Sequence, residues 1–281
     1  MSQHKEQQGF VTFAQNTESV DYLRLAYVQA MNIKSTQKIN KYAVIVDQST
    51  AAMITDEQRR VFDYIIVLEN DLAADSQWKL ANEWQVFNLT PFKETVKLEG
   101  DLLFTRSIDH WWNAFRLKNI VLSSGCKDYR GNISKVRSYR QFFDDNGLPD
   151  VYNGLMYFRY SQESFQFFET AKQVYQNWQT ISDTALKNSR EKTPSTDVLY
   201  AITASLVGAE ICTLPTADFI NFVHMKPDIN QLPDAPWYES VISERDGDMI
   251  RVNNLNQYYP VHYFYKDYIT EEIENEYRQQ Q

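Results

Sequence analysis

Hydrophobic and polar positions alternate in blocks along the first third of the chain. A β-rich run from Gly9 to Ala14 stops at Gln15-Asn16-Thr17, which predicts a strand leading into a helix capped near Thr17 or Ser19. Leu23, Ala26, Tyr27, Ala30 and Met31 then recur at helical spacing. Residues 41–47 (KYAVIVD) form a near-continuous apolar run, the pattern of a strand covered on both faces of a parallel sheet. A short helix around Thr55 to Phe62 and a strand at Tyr64 to Leu68 complete a βαβαβ unit. That order predicts an α/β fold with a doubly wound, mostly parallel sheet and right-handed crossovers.

A helical stretch near Ser76 to Trp84, which includes Lys79, precedes a fourth strand, Thr95-Val96-Lys97-Leu98. This strand ends in Glu99-Gly100-Asp101 and resumes as Leu102-Leu103-Phe104. Two acids therefore stand just past the carboxyl end of a strand, where open α/β sheets bind ligands. Further on, the pattern predicts a loop from Ser123 to Arg140 and a strand at Leu155 to Arg159 after Tyr152-Asn153-Gly154. A long amphipathic helix follows from Ser161 to about Leu186, then a helix from about Asp197 to Val207 and a strand at Glu210 to Thr213. The expected organisation is a flexible N-terminus over 1–8, one domain over 9–265 and an acidic tail over 266–281, with no internal repeat.

Composition supports a packed core, since 43% of the 281 residues are hydrophobic and 14% aromatic. The formal net charge of -9 argues against a general binder of polyanions. It leaves room for a local anion site, because Lys127, Arg130, Lys135, Arg137 and Arg140 face a single Asp128 between 127 and 140. The polar start, Met1 to Gln8, and the lack of a long apolar stretch predict a cytoplasmic protein without a membrane span. Cys126 and Cys212 sit in no metal-ligand spacing, as expected of idle thiols. The glycines never form GxG, and GxSxG and HExxH are missing, so nicotinamide, P-loop and common hydrolase readings drop out. Phosphate recognition is left to a metal or to side chains.

A carboxylate, one small residue and a second carboxylate at a strand end can turn two hard oxygen ligands to the same side. Mg²⁺ or Mn²⁺ suits such a pair. An exposed acidic turn is the competing account, and the surrounding sequence weighs against it. Thr90-Pro91-Phe92 followed by KETVKLEGDLLF resembles the Thr-Pro, strand, Asp-x-Asp block of GT-A glycosyltransferases, especially family eight and its phage-encoded relatives. Tyr152-Asn153-Gly154-Leu155-Met156 is similar to the family's Asn-x-Gly-Leu-Met segment, and Thr196-Asp197-Val198-Leu199 to its Asp-Gln-x-Leu helix start. Leu214-Pro215, Asn221 and His224-Met225-Lys226-Pro227 follow in the order of its closing stretch, so the resemblance covers roughly residues 9 to 227.

The resemblance implies a GT-A type fold with a C-terminal elaboration and a metal-dependent transfer of sugar from a nucleotide-sugar, most readily a UDP-sugar, to an acceptor hydroxyl. It assigns the metal to Glu99 and Asp101 with His224 or His262 as a third ligand, and the departing phosphate to Lys226. Thr12, Ala14, Asn16, Asp47, Lys79, Gly100 and Gly154 would contact the donor. Asn153 would line the sugar pocket, and Asp197 would orient the acceptor hydroxyl or act as its base. Plainer roles compete for several of these. Asn16 suits a strand-end cap, Asp197 the N-terminus of a helix, and each histidine core packing.

Two positions depart from the family pattern: Glu99 replaces the first Asp, and Val198 the Gln after the acceptor-side Asp. The loop Lys127, Arg130, Lys135, Arg137 and Arg140, interleaved with Tyr129 and Tyr139, suits a polyanionic acceptor. Phage-encoded relatives that modify hydroxymethylated bases make DNA the acceptor to consider, in a host cytoplasm. The alternatives are a sugar-nucleotide nucleotidyltransferase and a catalytically silent GT-A-like nucleotide-sugar-binding protein.

Overall fold

Period-two alternation along the N-terminal strands divides their side chains between two apolar cores. In the computed structural model, which describes residues 5–76, 78–134, 136, 138–189, 191–214 and 219–280, four strands run parallel: β1 (Glu6–Phe13), β2 (Tyr42–Val46), β3 (Tyr64–Val67) and β4 (Phe92–Leu98). Phe10, Tyr42, Val44, Val46, Val96 and Leu98 enter one core, while Val11, Ala43 and Ile45 enter the other. β5 (Leu102–Leu103) leaves this sheet. β6 (Ile120–Ser124) and β7 (Val151–Arg159) rejoin it, giving the order β3-β2-β1-β4-β7-β6 with β7 antiparallel to both neighbours.

Several boundaries differ from the sequence reading, each for a local reason. Helix Tyr22–Thr36 is capped by Asp21, whose Oδ1 accepts from Arg24 N at 3.0 Å, whereas the Thr17 hydroxyl accepts from Val20 N within the preceding turn. An additional helix, Gln48–Met53, starts directly after β2, and helix Asp56–Val61 follows on a Thr55 capping box. The stretch after Ser76 is a 3₁₀ segment, Lys79–Gln85. β6 occupies the start of the expected loop, and β7 begins at Val151, so Asn153 and Gly154 lie within a strand rather than before it.

The long helix divides into Gln162–Gln176 and Trp178–Ala185 at Asn177. Helix Thr196–Val207 ends at Gly208, whose φ of 102° turns the chain into a 3₁₀ segment, Ala209–Ile211, in place of the expected strand. Only the Cys212 carbonyl there meets the sheet, accepting from Leu122 N at 2.8 Å.

The C-terminal third covers the carboxyl end of β4. β8 (Val223–His224) and β12 (Val261–His262) form a small sheet with β5, in the order β5-β12-β8. Between them β9 (Ser243–Asp246), β10 (Met249–Val252) and β11 (Leu255–Asn256) make a separate antiparallel sheet. Residues 266–280, read from sequence as an acidic tail, supply a 3₁₀ segment, Lys266–Tyr268, and helix Glu271–Gln279. That helix buries Ile273 and Tyr277 and lies beside helix Tyr22–Thr36 through Arg24 to Glu274 at 2.6 Å and Asn32 to Tyr277 at 3.1 Å. Residues 6–8 already belong to β1. Among the described residues no helix is long and apolar enough to cross a membrane.

Candidate metal and donor site

The turn Glu99-Gly100-Asp101 is shaped from below by Gln29. Its amide donates to the carbonyls of Glu99 and Leu102, both at 2.7 Å, while its own oxygen accepts from Thr12 at 2.6 Å and from Tyr42 at 2.9 Å. Both polar atoms of that buried amide are thus engaged, the nitrogen on a turn that has left the sheet ladder and the oxygen on β1 and β2. Glu99 N donates to the Gly154 carbonyl on β7 at 3.1 Å, which ties the turn to the neighbouring strand. A Cβ on Gly154 would lie 3.0 Å from the Phe222 ring, so glycine there lets β7 approach the C-terminal cover without moving that ring.

Sheet register then chooses the histidine. His262 pairs with Leu102 across β12 and β5, and Tyr263 N donates to the Asp101 carbonyl at 3.0 Å, so His262 stands beside the acidic turn. Its Nε2 lies 2.7 Å from Glu99 Oε2 and 3.1 Å from Asp101 Oδ1. It is buried and aligned for a hydrogen bond with neither. Glu99, Asp101 and His262 offer ligand atoms all within 4.8 Å of one another, the one such metal-competent group among the described residues. Two carboxylates and an imidazole fit a divalent cation of the Mn²⁺ or Mg²⁺ type.

His224 stands one strand further out, opposite His262 in β8, with the two Nδ1 atoms 2.9 Å apart. It backs the cluster rather than joining it. Burial and the neighbouring His262 charge push His224 well below the usual histidine range, so its Nδ1 can accept from His262 Nδ1–H and aim Nε2 at the acids.

Electrostatics in the metal-free protein are balanced within the cluster. Burial opposes charge on His262, but the Asp101 and Glu99 carboxylates prevail and raise it to about 9. Burial also opposes charge on the acids, yet His262 holds Glu99 below its usual range, and His262 with Lys266 hold Asp101 far below. The Lys266 ammonium pairs with Asp101 Oδ2 and donates to the Phe264 carbonyl at 3.0 Å. Two positive groups therefore face two carboxylates at the place where a divalent ion would sit.

A cavity of about 720 Å³ opens above this cluster. Lys79, Arg140, Asp197, Lys226 and Trp78 are among the side chains on its walls. Asp197, in the first turn of helix Thr196–Val207, accepts from Asn153 N at 2.7 Å and pairs with Arg140 at 3.0 Å. Burial pushes its carboxyl upward against the pull of Arg140. Lys226 Nζ lies 5.9 Å from the centre of the Phe264 ring.

Other residues singled out in the sequence have structural partners. Thr12 is buried under the turn, and Ala14 donates its N–H to Ile45 O at 2.7 Å. Asn16 accepts from Leu23 N at 2.8 Å, and Asp47 caps helix Gln48–Met53 by accepting from Thr50 N at 2.8 Å. None of these four lines the cavity; Lys79 does, 3.7 Å from Asp47. Within the basic loop, Lys127 is buried against Tyr259, and Arg140 is buried between Phe143 and Tyr152. Arg130 is exposed beside Tyr129. Lys135, Arg137 and the Tyr139 ring lie outside the described residues.

No protein-family model matches the sequence, and no curated protein does. Solved structures do. An active-site mutant of LgtC matches with a TM-score of 0.55 at 12% identity, over 96% of this chain and 94% of LgtC. The fold is of the GT-A type. Mouse xyloside xylosyltransferase 1 in its apo form matches with a TM-score of 0.44 at 12% identity, over 74% of this chain and 85% of that one. The apo glycosyltransferase GlyE of Streptococcus pneumoniae gives 0.49 at 10% identity, over 93% of this chain and 55% of GlyE, so the chain spans just over half of that protein. At these identities the likeness carries the GT-A fold alone, and the chemistry has to come from the site.

Sequence reasoning passed over Lys266, Gln29, Glu83 and Lys97. Lys266 had a detectable signal, because His262 and Lys266 repeat, four residues apart, the His-then-Lys order of His224 and Lys226. Gln29, with Asn32 three residues on, interrupts an otherwise apolar stretch of helix, a local signal that does not say what its amide would bond.

Proposed function

We propose that the protein transfers a sugar from a nucleotide-sugar donor, a UDP-sugar first, to an acceptor hydroxyl, with Mn²⁺ or Mg²⁺ held by Glu99, Asp101 and His262. The observation that carries this reading is the convergence of those three side chains at the floor of a large cavity, at the carboxyl end of β4 in a GT-A fold. A divalent cation bound there would neutralise charge on a departing nucleoside diphosphate. Lys266 and Lys226 supply further positive charge on the same side of the cavity. Asp197, on the cavity wall with its carboxyl pushed upward by burial, would orient an acceptor hydroxyl.

Membership of family eight and its phage-encoded relatives, a cytoplasmic setting and a hydroxymethylated DNA base as acceptor belong to the same proposal at its finer level. The DNA acceptor rests on the basic loop, in which Arg130 is the exposed cation among the described ones. Duplex binding that weakens between low and moderate salt supports it, and salt-independent binding removes it. For the reaction itself, the test is incubation with Mn²⁺ and a panel of UDP- and GDP-sugars. Slow release of nucleoside diphosphate supports transfer. Pyrophosphate exchange points instead to a nucleotidyltransferase, and tight binding without turnover to a silent binding protein.

A further inference from the structure

Beneath Glu99 lies a buried charge pair that the proposed reaction does not use directly. Lys97, two residues earlier on β4, is fully buried, and its ammonium meets Glu83 Oε2 from the 3₁₀ segment Lys79–Gln85. The same ammonium donates to Asn153 Oδ1 on β7 at 2.7 Å. Asn153 is also buried, and its Nδ2 donates to Glu83 Oε2 at 2.7 Å and to Glu99 Oε1 at 3.0 Å. Four side chains, from three elements and the turn after β4, thus form one polar network, whose last member carries a proposed metal-ligating oxygen.

The chemistry of the network fixes its direction. An ammonium can only donate, so Lys97 assigns the Asn153 oxygen to itself. The amide nitrogen is then forced toward the two carboxylates. Were the amide reversed, its oxygen would face Glu99 and Glu83, and the Lys97 ammonium would face an NH₂ group. We infer that Lys97 and Glu83 are positioning residues that lock the Asn153 amide so that it grips Glu99 Oε1 and leaves Oε2 turned toward the cation. The lock suits a glutamate in particular, since its extra methylene adds a rotor that Asn153 and His262 together restrain from opposite ends. A buried ion pair is a weak source of stability, so stability alone does not account for one at this point.

This inference rests on the proposed metal site, and the experiment separates the two. Mn²⁺ alone is titrated into the 281-residue chain, with the free ion followed by electron paramagnetic resonance and folding by circular dichroism. N153A is expected to weaken Mn²⁺ binding about tenfold, the lower end of what loss of an outer-shell partner does. The double variant K97M/E83Q, which removes both buried charges at similar volume, is expected to match that loss. The triple variant is expected to lose nothing more. E83Q alone, in which the ammonium still holds Asn153 Oδ1, should bind at least about fivefold more tightly than N153A. Wild-type affinity in either N153A or the double variant overturns the inference while leaving the metal site intact, provided D101N still abolishes binding. Should the double variant fail to fold, an equal loss in E83Q and N153A overturns it. Absence of Mn²⁺ binding by the unaltered protein removes the metal site and the inference together.

Discussion

The six-stranded sheet and the small β5-β12-β8 sheet meet at Glu99-Gly100-Asp101, and they are held together by different physics. In the large sheet, strands of four to nine residues have apolar side chains covered on both faces, and Phe10, Val44 and Val96 are fully buried. In the small sheet every strand has two residues, and it carries His262 beside the acids with His224 behind it. Area burial stabilises the first, whereas the second is placed by register and by buried polar contacts that the first makes possible. The chemistry sits on the seam because charged ligands there can be held by a rigid scaffold without interrupting its apolar core.

Substitutions should separate the two regions, and the largest effect belongs to the sheet. Phe10 contacts Phe104 and Trp112 edge-on, so F10A is expected to destabilise the fold by about 3–5 kcal/mol. Urea denaturation checks this, and Mn²⁺ affinity per folded molecule should hardly change. If F10A abolished metal binding in folded protein, the two regions would be one cooperative unit.

D101N should do the reverse. It removes one of the two carboxylates facing His262 and the one paired with Lys266, and nucleoside diphosphate release is expected to fall by about 10² or more. Its secondary structure should be retained, which circular dichroism would check. Near-wild-type turnover would mean that the cation, if bound, sits elsewhere.

Acidity should move the seam and not the sheet. His262 is raised from an ordinary 6.5 to about 9 in the metal-free fold, so its charged form contributes stability fully below pH 6.5. That contribution is lost as pH rises through about 9. A cation needs the neutral imidazole, so between those values each pH unit should tighten Mn²⁺ binding by about tenfold while metal-free stability declines. Parallel Mn²⁺ titrations and urea melts across pH 6–9.5 would read both trends. A flat affinity profile would remove His262 from the ligand set.

The smallest effect is expected on the outer face of the C-terminal helix. Arg278 pairs with exposed Glu57 at 3.1 Å and with buried Glu274 at 2.7 Å, which keeps Arg24 as a second partner, so R278A should change stability by no more than about 1 kcal/mol and activity not at all. A loss of turnover in R278A would tie that helix to the site through Arg24 and the helix it lies against.

Legibility followed the same division. The parallel βαβ order and the acids past β4 were readable because apolar runs and a strand-end turn are local signals. Asn177 broke a helix whose spacing looked continuous, and Gly208 removed an expected strand, because backbone preference at one residue does not register in a hydrophobic pattern. The basic loop read as one surface, yet Lys127 and Arg140 were turned inward by Tyr259, Tyr152 and Asp197, residues distant in sequence.

By itself the sequence determined the α/β class, the position of the acidic pair at a strand end, and two histidines eligible to join it. Tertiary structure alone put one of those histidines beside the acids, since β12, which carries His262, pairs with β5 at Leu102, while β8, which carries His224, pairs with β12. It alone also drew Lys97, Glu83 and Asn153 into one network with Glu99. Local composition dictates strands, but which distant side chains meet in a low-dielectric space is settled by long-range register and burial, where a shift of one residue would change every partner.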